Sequence, residues 1–80
     1  MKIKFIPNYD DEGETYELAQ KDKLYLIEWN NLPLPRVNES ITGDIITGEE
    51  KYKDSWFNIE SIGWTIEENN VIVKIWFDDL

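Results

Sequence analysis

Near its carboxyl end the chain reads WTIEENNVIVKIWFDDL, from Trp64 to Leu80. Two apolar, aromatic runs flank a polar turn, and each run alternates with a period of two. That is the signature of a half-buried β-hairpin, and it constrains the fold more than any other stretch. Asn69-Asn70 is the expected two-residue turn, because Asn tolerates the positive φ that tight hairpins require. This register pairs Glu68 with Val71, Glu67 with Ile72, Ile66 with Val73, Thr65 with Lys74 and Trp64 with Ile75. It assigns Trp64, Ile66, Val73, Ile75 and Phe77 to the core. Thr65, Glu67, Ile72, Lys74 and Trp76 fall on a mixed outer face.

The rest of the chain supplies partners for that hairpin. KIKFIP (Lys2–Pro7) alternates lysine with Ile3 and Phe5 and reads as a strand that Pro7 ends. The acidic stretch 8–20 offers one or two turns of helix from Thr15, with Thr15 as N-cap. KLYLIEW (Lys23–Trp29) is apolar on both faces, Leu24 and Leu26 on one, Tyr25, Ile27 and Trp29 on the other, as a central or doubly covered strand would be. The two prolines of LPLPRV suit an edge or polyproline-like segment. Residues 38–50 read as short strands or loop. KYKDSWFNIESIGW fits either a short helix capped by Asp54 or Ser55 and ended at Gly63, or a bent strand.

The fold class expected is therefore mainly β: a small antiparallel sheet or barrel of four to six strands with at most one or two short helices, in one domain spanning 1–80. Four Trp, four Tyr and three Phe among 80 residues are enough for one small core. No apolar run approaches the ~20 residues of a membrane span. The amino end is too short and too polar for a signal peptide, so a cytoplasmic protein is expected.

Composition also narrows the chemistry. The chain has no Cys and no His. Thiol nucleophiles, disulfides and the commonest general base and transition-metal ligand are thereby excluded. There is no Gly-rich phosphate loop, and 80 residues leave little room for a deep pocket. An enzyme is not expected, nor any cofactor. Asn8-x-Asp10-x-Glu12-Gly13 looks like the first half of a calcium loop, but Ala19 stands where such a loop needs a bidentate Glu. An acidic turn is the expected reading. Asn38-Glu39-Ser40 matches the glycosylation sequon, which carries no weight without a secretory signal.

Charge is the outlier. Seventeen acids oppose eight bases, for a net charge of −9. Such a chain should avoid nucleic acid and anionic membranes and be drawn to basic surfaces. The charges are also segregated. Residues 8–20, 38–50 and 54–80 carry −5, −4 and −5, while the remainder carries +5. Lysines come in pairs two apart, Lys2/Lys4, Lys21/Lys23 and Lys51/Lys53, each expected to share a face if extended.

The expectation that follows is a small non-enzymatic protein that binds and inhibits a basic, nucleic-acid-binding protein. Its binding residues would be Asp10, Asp11, Glu12, Glu14, Glu17, Glu49, Glu50, Glu67, Glu68, Asp78 and Asp79, with Trp76 or Trp56 as aromatic anchor. In charge and size alone, such a chain is similar to the DNA-mimic inhibitors made by phages, and its Ile-, Asn- and Lys-rich composition suits an AT-rich genome. Two alternatives stand beside it: an immunity-type protein neutralising a toxin, and a plain β-barrel interaction module binding by strand addition along LPLPR. The oligomeric state is left open, a symmetric dimer through Trp76 being one option. The hairpin sets a geometric condition. Its two acid doublets, Glu67-Glu68 and Asp78-Asp79, join one surface only if residues 8–20 or 38–50 bridge them.

Overall fold

The structure is a computed structural model and describes residues 1–10, 12–21, 23–30 and 33–80. Its elements run β1 (Lys2–Pro7), α1 (Glu14–Gln20), β2 (Tyr25–Glu28), β3 (Ser40–Thr42), α2 (Gly43–Thr47), a 3-10 turn (Glu50–Tyr52), β4 (Trp56–Glu67) and β5 (Asn70–Asp79). The protein is mainly β, as expected. Five strands form one sheet in the order β2-β1-β5-β4-β3, curled into a half-barrel. Neighbouring strands are antiparallel except β1 and β5, which lie parallel at the centre. Among the described residues no helix is long and apolar enough to cross a membrane.

Alternation along the two central strands makes the core. Ile3 and Phe5 of β1 lie beside Val73 and Ile75 of β5, and all four are buried. Lys2 and Lys4 point to the opposite face. Phe77 meets Phe57 edge-on at 5.3 Å between ring centroids and Phe5 at 6.3 Å, the geometry that the aromatic quadrupole favours. Helix α1 contributes Thr15 and Leu18 to this inner face, and α2 contributes Ile46. Both helices are too short to be stable alone, so packing against the sheet holds them.

Several local expectations are corrected. Strand β2 is an edge strand, not a central one. Tyr25 is buried, but Leu24 and Leu26 on its other face are 63% and 38% exposed. The polyproline stretch forms no strand over 33–36; Pro35 is buried there and Leu34 packs against the core. The 56–67 segment resolves as a strand with a bulge at Glu60, between Ile59 and Ser61. Thr15 is not the N-cap of α1: that position is Gly13, and Thr15 lies inside the helix, fully buried.

The hairpin turn is Glu68-Asn69, both residues at positive φ (50° and 66°), rather than Asn69-Asn70. Two consecutive left-handed residues make the type I′ geometry that matches strand twist. The Asn70 side-chain amide donates to the Glu68 carbonyl at 3.2 Å, an exposed contact at the turn. The ladder consequently pairs Glu67 with Asn70, Ile66 with Val71, Trp64 with Val73 and Ile62 with Ile75. The slip is two residues, so each side chain keeps its expected face. Trp64 and Ile66, however, are carried toward the tip, beyond the well-covered rungs. They are exposed, not core, and half-buried Ile62 takes the rung assigned to Trp64.

Candidate protein-binding site

The carboxyl end of β5 gathers acids. Pro7 pairs with Phe77, and the Asn8 amide donates to the Phe77 carbonyl at 2.8 Å, so residues 8–10 leave β1 alongside Asp78. The bulge pushes Glu60 out of the ladder toward the same place. The outcome is an open cleft of about 500 Å³ lined by Asn8, Tyr9, Asp10, Glu12, Glu60, Asp78 and Asp79. None of these lining residues is basic. Sequence reasoning named Asp10, Glu12, Asp78 and Asp79, and the fold brings those four together. Glu60 was missed, because a bulge leaves no signal in an alternating pattern.

Two tryptophans border this acidic end. Trp76 shares the outer face of β5 with Asp78. Trp56 shares the outer face of β4 with Asn58, whose amide donates to Asp78 at 3.2 Å. Trp56 is 52% exposed. Trp76 is half-buried because its ring lies over Gly63, where an added Cβ would stand 3.2 Å from Trp76 Cζ3.

Asp79 is also a structural group. Its Oδ1 accepts from the Thr15 amide at 3.0 Å and the Thr15 hydroxyl at 2.7 Å. A carboxylate from the end of β5 thus satisfies the first turn of α1, which has no side-chain cap of its own. Gly13 permits this: at φ 100° it adopts a backbone closed to other residues, and a Cβ there would lie 2.2 Å from Asp79 Oδ2.

The remaining candidates lie elsewhere. Glu14 and Glu17 are exposed on α1 without lining the cleft. Glu49 bridges Lys23 at 3.4 Å and Lys51 at 3.9 Å, and Glu50 bridges Lys53 at 3.9 Å. They belong to a basic patch in which Lys21 donates to the Tyr52 hydroxyl and both Lys21 and Lys51 lie about 5 Å from the Tyr52 ring centre. That hydrogen bond holds the Lys21 ammonium above its ordinary pKa. Glu67 pairs with Lys74 at 3.6 Å, and Glu68 sits in the turn. Asp11 lies outside the described residues.

The bridging condition is not met. Thr15 of α1 reaches back to Asp79, and 40–42 pair with 56–58, opposite Asp78. Both segments crowd the end that already holds Asp78-Asp79. The Glu67-Glu68 tip stands roughly 30 Å away at ~3.3 Å per residue of β5, in a molecule whose longest extent is 35 Å. From Glu14 onward the calcium-loop likeness gives way to helix, and among the described residues no group of three or more His, Cys, Asp or Glu is placed to hold a metal.

What fold and site define together is a small half-barrel with a carboxylate-lined end bordered by tryptophan. No family model, curated protein or solved structure matches the chain.

Proposed function

We propose that this is a non-enzymatic binding protein whose acidic cleft engages and inhibits a basic, nucleic-acid-binding protein. The observation that carries the reading is the cleft itself: Asp10, Glu12, Glu60, Asp78 and Asp79 converge without a lysine or arginine among them, and Trp76 shares the outer face of β5 with Asp78. Clustered carboxylates attract and orient a cationic partner, and Trp is the side chain most enriched where interfaces concentrate their energy. The acids form a compact pole rather than a row along the molecule. That favours recognition of one lysine- or arginine-bearing element over imitation of a long duplex. An immunity-type role against a basic toxin uses the same cleft and differs only in the partner.

The test is affinity capture from nuclease-treated cell extract at low and high salt. Three forms serve as bait: wild type, Glu60→Lys/Asp78→Lys in the cleft, and Glu67→Lys/Glu68→Lys at the tip as charge-matched control. The reading expects one basic protein retained at low salt by wild type and tip variant, lost from the cleft variant, and released at high salt. The retained protein should then lose nucleic-acid binding when the wild-type chain is added. Retention of no basic protein, or equal retention by the cleft variant, overturns it.

A further inference from the structure

We propose that the hairpin tip is a self-association surface, through which two copies of the chain pair about a two-fold axis. Trp64, Ile66 and Val71 are 61%, 72% and 55% exposed, and Ile66 faces Val71 across the ladder. Extending the β1–β5 register by one residue sets Met1, 54% exposed, beside Val71. All four belong to the inner face of the sheet. One rung further in, that same face holds Ile3 and Val73, both fully buried. The tip is thus the apolar face of the sheet continuing past the part that the helices cover.

Area and charge identify the occupant. A whole Trp side chain presents about 150–250 Å², so the four residues together leave roughly 500 Å² open, near the upper end for a monomer's largest patch. Two such patches facing one another bury roughly 1,000 Å², the lower bound for a specific interface. The surface therefore fits a weak, reversible dimer. The net charge of −9 does not forbid it. Glu67, the acid nearest the patch on β4, is already paired with Lys74. The acidic cleft is roughly 30 Å away, several times the ~8 Å Debye length at physiological salt. Glu68 in the turn adds a single carboxylate beside the patch, too little to draw a cationic partner onto a face built of Trp64, Ile66, Val71 and Met1, whereas a second identical patch matches that face in an isologous pairing. Trp64 is the rigid anchor at its centre.

Sedimentation equilibrium at ~150 mM salt, from about 10 μM to about 1 mM protein, tests this range of weak affinities. The weight-average mass of the wild type should rise from 9.5 kDa toward twice that value. Trp64→Glu and Ile66→Lys should each hold the mass of one chain throughout. Both sites are exposed, so both variants should retain the wild-type circular dichroism spectrum and melting transition. The cleft variant Glu60→Lys/Asp78→Lys should dimerise as the wild type does. A wild-type mass that stays at one chain over the whole range overturns the proposal. So does a mass that doubles equally in the two tip variants.

Discussion

At the scale of single residues, the Asp79 carboxylate ties the end of β5 to the first turn of α1. It reads as one of two solvated tail acids, yet it receives two hydrogen bonds from Thr15. Hydrogen bonds to charged groups contribute about 1.5–3 kcal/mol, and removing Asp79 leaves the buried Thr15 hydroxyl unpaired. Asp79→Ala should therefore lower unfolding free energy by about 2 kcal/mol in urea titration, and Asp79→Asn by less, since its side-chain oxygen still accepts. Gly13→Ala should cost a similar amount or more, through its φ of 100° and the displaced carboxylate. The double variant should lose less than the sum, because both changes break the same contact. Tyr25 carries a pH dependence. Burial pushes its phenol above the ordinary value of 10, and its hydroxyl donates to the Leu18 carbonyl at 2.9 Å. Between the unfolded value near 10 and the higher folded value, the native chain holds more protons than the unfolded one. Stability is thus full below about pH 10 and falls as pH rises through the folded value. Tyr25→Phe should be less stable at neutral pH by about 1 kcal/mol, with a gap to wild type that narrows from pH 9 to above 11. Lys21, also raised, keeps some alkaline slope in both forms.

At the scale of elements, the β4–β5 hairpin shows how far alternation reads and where it stops. Alternation assigned every side chain to its face, because that assignment survives any even shift in register. The turn position did not follow: local preference favours Asn69-Asn70 as the left-handed pair, and the β4–β5 ladder puts Glu68-Asn69 there instead. Glu68 occupies that conformation at a cost, left-handed backbone being disfavoured for residues other than Gly, Asn and Asp by roughly 1–2 kcal/mol. Glu68→Asn together with Asn69→Gly supplies the pair best suited to a type I′ turn. It should raise the melting temperature, with a gain of about 0.5–1.5 kcal/mol, and leave the acidic cleft untouched. A loss of stability would show that the turn is held by contacts other than its own backbone preference. Strand β2 teaches a complementary lesson. Its apolar residues on both faces suggested a central position, whereas Leu24 and Leu26 lie exposed at an edge. The central positions went instead to β1 and β5, which bury their inner faces and carry Lys2, Lys4 and Lys74 on the outer one.

At the scale of the whole molecule, the carboxylate-lined cleft and the patch of Trp64, Ile66 and Val71 lie at opposite ends of a body 35 Å long. Carboxylates collect around Asp78, and Trp64, Ile66 and Val71 extend past the core at the other end. The lysine pairs 21/23 and 51/53 merge into one patch around Tyr52. Separation by several Debye lengths makes the ends energetically independent, as distant sites generally are. Ile66→Lys should accordingly leave salt-sensitive capture of a basic partner unchanged while abolishing self-association. Capture measured by titration on the immobilised variant distinguishes the two effects. A joint loss would mean that the two ends form one surface in the bound state. By itself the sequence determined the class of fold, the faces of β1 and β5, the net charge and the absence of His and Cys chemistry. Those properties depend on residue type and on period along the chain. Only the tertiary structure decided which acids meet, that Glu60 joins them through a bulge, that Asp79 caps a helix 64 residues away in sequence, and that Trp64 lies outside the core. The parallel β1–β5 pair brings residues 8–10 and Thr15 to the end of β5, and the bulge and register of the β4–β5 ladder place Glu60 and Trp64; local patterning records neither.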